Sequence, residues 1–303
     1  MRTSNDILRA ALAGVLIPLA ALHAQVDRQR VDTAFTFDRG GSVQLGLVSG
    51  EIRVITGASN QIRIVASIER GRLETSFSRS RVSIEARSIN GRMGDTRYEL
   101  TVPAGTRVRA SAVSGDISIL GTGSEVEASS VSGDVRVEDA SRVVDIGSVS
   151  GDIELARVSG RVDVSTVSGD IRIDGITGDL ETNGVSASMA IRNGKLRTLR
   201  SDAVSGDITY EGTFAPDGDY RFNTHSGEIM ISIPSNGGAA LELETWSGNI
   251  ASDFPLTLQP GESVGRRNRR MQFTVGTGGA RIAAETFSGN ITIRRAMARG
   301  NQE

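Results

Sequence analysis

The stretch VSGDIELARVSGRVDVSTVSGDIRIDGITGDLETNGVSAS, residues 149–188, says nearly the same thing every nine residues. Its glycines are Gly151, Gly160, Gly169 and Gly178, and Ala187 then takes the glycine place in Val-Ser-Ala-Ser. Gly115 and Gly133 precede this tract at steps of 18, and Gly206, Gly227, Gly248 and Gly289 follow it at steps of 19, 21, 21 and 41. The spacing predicts a rung of 18–21 residues in which the nine-residue steps are half rungs. Where the Ser-Gly pair is lost, Asn193-Gly194, Asp217-Gly218 and Asn236-Gly237-Gly238 supply turn dipeptides, because Gly and Asn tolerate positive φ. Each rung is therefore expected to have two straight edges and two corners.

Within a unit the apolar residues alternate. Ile171 and Ile173 flank Arg172, Val135 and Val137 flank Arg136, and Ile117 and Ile119 flank Ser118. Period two means strand, with Ile and Val facing a core and the charged residue facing water. Stacking successive rungs sets each strand beside its equivalent, in parallel, about 4.8 Å away. The expected fold is all-β, a parallel β-solenoid, with right-handed winding as the expectation. The corner chemistry follows: Gly accepts the backbone, Ser and Asp bond exposed amides, and Ile re-enters the core. His225, Trp246 and Phe287 hold the place taken elsewhere by Val113, Val131, Val149, Val167 and Val204, and they read as packed members of that column.

Ahead of the regular tract, residues 25–110 are strand-like but irregular, with Val48-Ser-Gly50-Glu-Ile-Arg-Val54 as an opening rung. Ser67 to Gly94 is polar and Arg-rich and reads as an extended hairpin or loop. The repeats occupy 111–295, and 296–303 read as a frayed tail.

The ends and totals bound the rest. Arg2 and Arg9, the uncharged Ala10–Leu22 stretch and His23-Ala24-Gln25 form an export-signal pattern over residues 1–24. Thirteen apolar residues are too few for a membrane-spanning helix, which needs about 20. The expected product is exported, to the periplasm or the cell surface, with no transmembrane segment after signal removal. The chain has no cysteine, so repeated packing replaces cross-links. It carries 34 basic and 36 acidic residues, net −2, which argues against a nucleic-acid partner. The Arg266, Arg267, Arg269 and Arg270 cluster reads as a solvated loop.

The chain resembles the bacterial putative-adhesin family, an exported domain of unknown function built from β-strand repeats. The residues carrying the resemblance are Val-Ser-Gly-Glu-Ile-Arg-Val at 48–54, Leu-Thr-Val-Pro-Ala-Gly at 100–105 and the Ser-Gly-Asp-Ile series after them. The resemblance implies an exported β-solenoid with an adhesive or scaffolding role, and it supplies no catalytic residues.

The acids that follow the corner glycines are the best candidate for chemistry. Asp116, Asp134, Asp152, Asp170 and Asp207 form one ladder, which Glu228, Asn249 and Asn290 continue. Carboxylates about 5 Å apart repel unless water, Arg or a cation intervenes. Calcium would need six to eight oxygens, and one acid per unit is too few, so the expectation is Asp bonding corner amides with no metal and no cofactor. With His225 the only histidine beyond the signal, Ser-His-Asp and His-metal arrangements are largely removed. Gly276-x-Gly278-Gly279 precedes a strand-like run and reads as a corner, not a phosphate cradle.

The expected function is a non-enzymatic adhesive or scaffolding surface whose partners are envelope polysaccharide, another protein, or copies of the same chain. A polysaccharide lyase or glycosidase on the same scaffold is the alternative, and a cation-stabilised structural rod is the third reading.

Overall fold

Two backbone features set the shape: strands that alternate in and out, and turn residues that reset that alternation at fixed places in every rung. The computed structural model describes residues 29–89, 91, 93–235, 237–255, 269–276 and 278–296. The export-signal pattern, the tail from 297, and Arg266 and Arg267 lie outside the described residues.

In chain order the strands are β1 (Gln29–Thr36), β2 (Ser42–Gly57), β3 (Gln61–Ile68), β4 (Arg72–Phe77), β5 (Arg81–Arg87), β6 (Thr96–Pro103) and β7 (Arg107–Leu120). Then come β8 (Val126–Ser130), β9 (Val135–Glu138), β10 (Ser141–Ser150), β11 (Ile153–Ser168), β12 (Ile171–Ser186), β13 (Met189–Ser205) and β14 (Ile208–Ser226). The last are β15 (Ile229–Ile233), β16 (Ala239–Ser247), β17 (Ile250–Ser252), β18 (Arg269–Val275), β19 (Ala280–Ser288) and β20 (Ile291–Arg295).

From β7 to β15 the pairing is parallel and mostly one rung apart. Ile153 stands beside Ile171, Gly160 beside Gly178 and Ser168 beside Ser186, each 18 residues on. This is the β-solenoid that the repeat predicts. Inside it run columns of like residues, such as Ile117, Val135, Ile153, Ile171 and Met189, all buried. Two polar side chains meet in the core, where the Thr182 hydroxyl donates to Ser201 Oγ at 2.8 Å.

The rung has three turning points where two are expected. Gly121, Asp139, Arg157, Gly175 and Asn193 form one column, all at φ between +52° and +80°. Arg142, Gly160 and Gly178 form a second, at +76° to +124°. The glycines of the Ser-Gly-Asp unit form the third. Of this column the sequence reading found only Asn193, as a turn standing in for the Ser-Gly pair; Gly121 and Gly175 lie outside the nine-residue glycine register, and Arg157 has no preference for positive φ.

Both ends depart from simple winding. At the start, β2 lies between β7 on one side and β5 and β6 on the other, all parallel to it, so chain that comes later sits farther out. β4 pairs antiparallel with β5, making the Arg-rich segment a hairpin whose second strand joins the solenoid. β1, β3 and β6 close this end antiparallel. At the other end β19 lies between β14 and β16, and β20 between β15 and β17. The stacking order there is Gly227, Gly289, Gly248, not chain order.

Among the described residues, no helix is long and apolar enough to cross a membrane.

Candidate functional surface

The repeated unit builds one band along the solenoid, and each of its positions has a separate cause. The residue before the Val column points inward and is small or hydroxylated: Ser130, Ser148, Thr166, Thr224, Thr245 and Thr286 are all buried. Ser130 donates to the carbonyl of Gly115 at 3.2 Å, Thr224 to Gly206 at 3.2 Å and Thr245 to Gly289 at 2.9 Å. These bonds tie the corner of one rung to the next. A Cβ built on Gly169 would stand 2.4 Å from the carbonyl oxygen of Gly151, and one on Gly151 would stand 2.2 Å from that of Gly133. Close approach therefore favours glycine at the repeat even where φ is not in the left-handed range, and Ala187 shows that one rung accommodates a methyl group there.

The structure answers the charge question of the acid ladder with backbone amides. Asp116 accepts the amide of Asp134 at 3.0 Å, Asp134 that of Asp152 at 2.9 Å, and Asp152 that of Asp170 at 2.9 Å. Asp170 accepts the amide of Ser188 at 3.4 Å, and Asp207 that of Glu228 at 2.8 Å. Arg172 bridges Asp152 and Asp170, 2.7 Å from each. That guanidinium first, and the Asp170 amide second, hold the Asp152 carboxyl below the usual range. Asn290 makes the same cap to the amide of Asn249 at 3.0 Å, so the geometry needs an oxygen acceptor and not a charge. Among the described residues no group of three or more His, Cys, Asp or Glu side chains is placed to hold a metal ion.

The Val column faces water, which corrects the reading of it as packed. Val113, Val131, Val149, Val167 and Val204 are 42–53% exposed, and Phe287 and Trp246 are 49% and 50% exposed. Val48 and Val185 belong to the same column, at 42% and 46%. The error came from carrying period two through the corner. Ile171 and Ile173 are inside at odd numbers, but the turn at Gly169, φ +135°, shifts the phase. Val162, Val164 and Thr166 are inside at even numbers, and Val167 and Ser168 both face out. His225 is therefore also exposed, stacked on Phe287 with ring centroids 4.9 Å apart and planes 4° from parallel. Trp246 stacks on the other side of Phe287 at 6.1 Å and 8°. The aromatic order His225–Phe287–Trp246 follows the inserted β19.

A second column, on the flat face beside this band, stacks Glu127, Asp145, Asp163 and Glu181 without an intervening cation on the same column. Burial first, then Glu181 and Asp145, push the Asp163 carboxyl upward, with Arg161 partly opposing. A raised folded-state value means that folding disfavours the charged form. The penalty is complete above that value and is relieved as pH falls through it. Asp163→Asn is thus expected to stabilise the protein at pH 7 by about 0.5 kcal/mol. The gain should shrink between pH 7 and an acid pH low enough for wild-type Asp163 to take up its proton, which its raised value brings on sooner than for an ordinary Asp. Urea midpoints at the two pH values check this; a destabilising effect at pH 7 would contradict it.

In the hollow near the C-terminal end, carboxylates are held by cations. The hollow, of about 600 Å³, is lined by Asp219, Arg221, Glu242, Gln272 and Arg281. Arg221 lies 3.2 Å from Asp219, and Arg270 pairs with Glu242. Opposed acid and base carboxylates of the glycosidase kind need unequal environments across a substrate gap, and these guanidinium-paired groups do not provide them.

No curated protein sequence gives a significant match to the chain. Among solved structures it is similar to one described as a putative cell adhesion protein from Clostridium sporogenes, with 9% identity, 88% of this chain and 100% of that one covered, and a TM-score of 0.24. Another, described as a putative lipid binding protein from Parabacteroides distasonis, has 11% identity, coverage of 87% and 96%, and a TM-score of 0.44. A third, described as a putative adhesin from Bacteroides fragilis, has 11% identity, coverage of 88% and 97%, and a TM-score of 0.40. At these identities and scores they carry no functional argument. The family model Toastrack DUF4097 matches residues 101–186 and 122–294, more than half of the chain and all of its regular rungs, and the protein belongs to that family.

Proposed function

We propose that this protein is an exported, non-enzymatic adhesive or scaffolding module of the bacterial envelope. The observation that carries the reading is the exposed apolar ladder running from Val48 to Trp246 across successive rungs. A contiguous apolar stripe on a protein surface is a mark of an interaction site, whereas single exposed Val residues are ordinary. Repetition adds to it, since a partner that meets one rung meets its neighbours in the same geometry, and weak contacts then sum.

The chemistry of the corners supports binding over turnover. Asp116, Asp134, Asp152, Asp170 and Asp207 are engaged as amide caps, and His225 is engaged in a ring stack. Residues 1–24 would direct export, 25–110 would form the opening cap and 111–295 the binding rod.

The test is retention of isolated envelope fragments on the immobilised mature chain, compared with Val149→Thr/Val167→Thr, which keeps β-branching and removes apolar surface. Retention by wild type and its reduction in the variant is the expected result. No retention by wild type, or release of new reducing ends from envelope polysaccharide, would overturn the reading.

A further inference from the structure

The margins of the apolar ladder hold acidic and no basic residues of their own, although Arg172 and Arg200 reach in from adjoining columns to pair with Asp152, Asp170 and Asp202. In each rung the band comprises six residues, from Gly46–Glu51 through Ser165–Asp170 to Glu244–Asn249. Although the chain has 34 Lys and Arg residues, none falls within these hexapeptides in any rung from Val48 to Trp246. One margin is the carboxylate ladder from Asp116 to Glu228. The other acquires Asp202, Glu244 and Glu285 toward the C-terminal end. Between them run the apolar column and a column of serines, among them Ser150, Ser168, Ser186 and Ser205. Outward positions on the neighbouring columns mix both signs, as Arg109 with Glu127 and Arg136 with Glu154 show.

The amide caps do not explain this purity, because Asn290 caps equally well without charge. Strand propensity does not explain the apolar centre either, since Thr is as well suited to an exposed ladder as Val. We infer that the band is the docking surface for a cationic segment of a partner polypeptide carrying apolar side chains. The inference rests on the adhesive reading and names the chemistry of the partner.

Charge complementarity selects this occupant. A second copy laid band to band would set acidic margins against acidic margins, and like charges so placed cost several kcal/mol. An anionic lipid surface is repelled for the same reason. Apolar side chains displace water over the Val column, while Lys or Arg on either side meets the carboxylates. With rungs about 4.8 Å apart the ladder runs roughly 45 Å, the span of about 13 extended residues.

The probe is a 15-residue peptide of Lys-Val-Ser repeats, titrated into the mature chain and read by fluorescence anisotropy. Peptides of Glu-Val-Ser and Lys-Gly-Ser repeats are its controls. Lys-Val-Ser is expected to bind at least tenfold more tightly than either control. Val149→Thr/Val167→Thr should weaken it at least fivefold. The triple variant Asp116→Asn/Asp134→Asn/Asp207→Asn keeps an oxygen for each amide, so it should retain the melting curve while weakening binding and flattening its dependence on salt. Absent Lys-Val-Ser binding, equal binding of Glu-Val-Ser, or affinities unmoved by both variants would overturn the proposal. So would a dimer in sedimentation that the Val pair variant dissolves, because the occupant would then be a second copy. Envelope retention that the Val pair variant lowers, without any Lys-Val-Ser binding, would leave the adhesive reading standing and remove this one. Lys-Val-Ser binding without envelope retention would remove the adhesive reading.

Discussion

Gly169→Val is expected to destabilise the protein by about 2–6 kcal/mol and to loosen it locally. Two independent causes add. Gly169 holds φ +135°, where a β-branched residue costs about 1–3 kcal/mol. A Cβ there would also fall 2.4 Å from the Gly151 carbonyl oxygen, inside any real contact, so the two rungs must part. Forcing extra atoms into a packed site costs a further 1–3 kcal/mol or so. Each rung touches only its neighbours, so faster hydrogen exchange should centre on about residues 150–190. Uniform loosening of the whole chain, or no change there, would count against stacked rungs. Gly147 supplies the control: a Cβ on it would meet nothing nearer than Ser165 Oγ at 3.6 Å, and its φ is not in the left-handed range. Gly147→Val should be neutral or mildly stabilising, because the strand then gains a residue of high β propensity.

That contrast shows what a reader of the sequence can and cannot recover. The repeat of Gly151 and Gly169 was visible because close approach at the corner allows little else, and rung length and parallel stacking follow from it. The fate of Val167 was not visible. Whether it packs or protrudes depends on whether the corner preserves the phase of alternation, and a backbone dihedral decides that. The binding candidate shifted accordingly. The acids after the glycines were legible as amide caps in advance, since one carboxylate per turn is what a free corner amide needs. The apolar ladder beside them was hidden by the same residues that announced the fold, because an exposed Val and a buried Val are the same letter. The αL place at Arg157 was equally silent, since neighbouring rungs impose that conformation on a residue with no preference for it, whereas Asp139 in the same column tolerates it.

Stacking order at the C-terminal end was the least legible feature, and it carries the other large prediction. Removing residues 280–303 should free residues 239–275 as well, although they remain in the chain. β19 is hydrogen-bonded to β14 on one side and β16 on the other, and β20 to β15 and β17. The segment last in sequence is thus the only link, among the described pairings, between β16–β18 and the rungs before them. Without it β16 and β18 form an isolated antiparallel hairpin, and a lone two-stranded hairpin is marginal in water. Ile291 and Ile293 would also leave the core columns of Ile229 and Ile231, exposing the end of the rod. Limited proteolysis of the truncated chain should cut throughout 239–275, while the rungs before β14 keep their exchange protection. A linear stack predicts the opposite, since residues 239–252 would then rest directly on β14 and β15 and stay protected. Ala284→Pro tests the same link without shortening the chain. Ala284 is fully buried between Phe222 and Leu243, and a proline there removes a ladder hydrogen bond inside a central strand, where proline is otherwise confined to edges and bulges. If the variant loses protection in β16 and β18 together with β19, the inserted rung holds the end of the solenoid closed. If only β19 exchanges faster while β16 stays protected, β16 has another support and the inserted order is wrong.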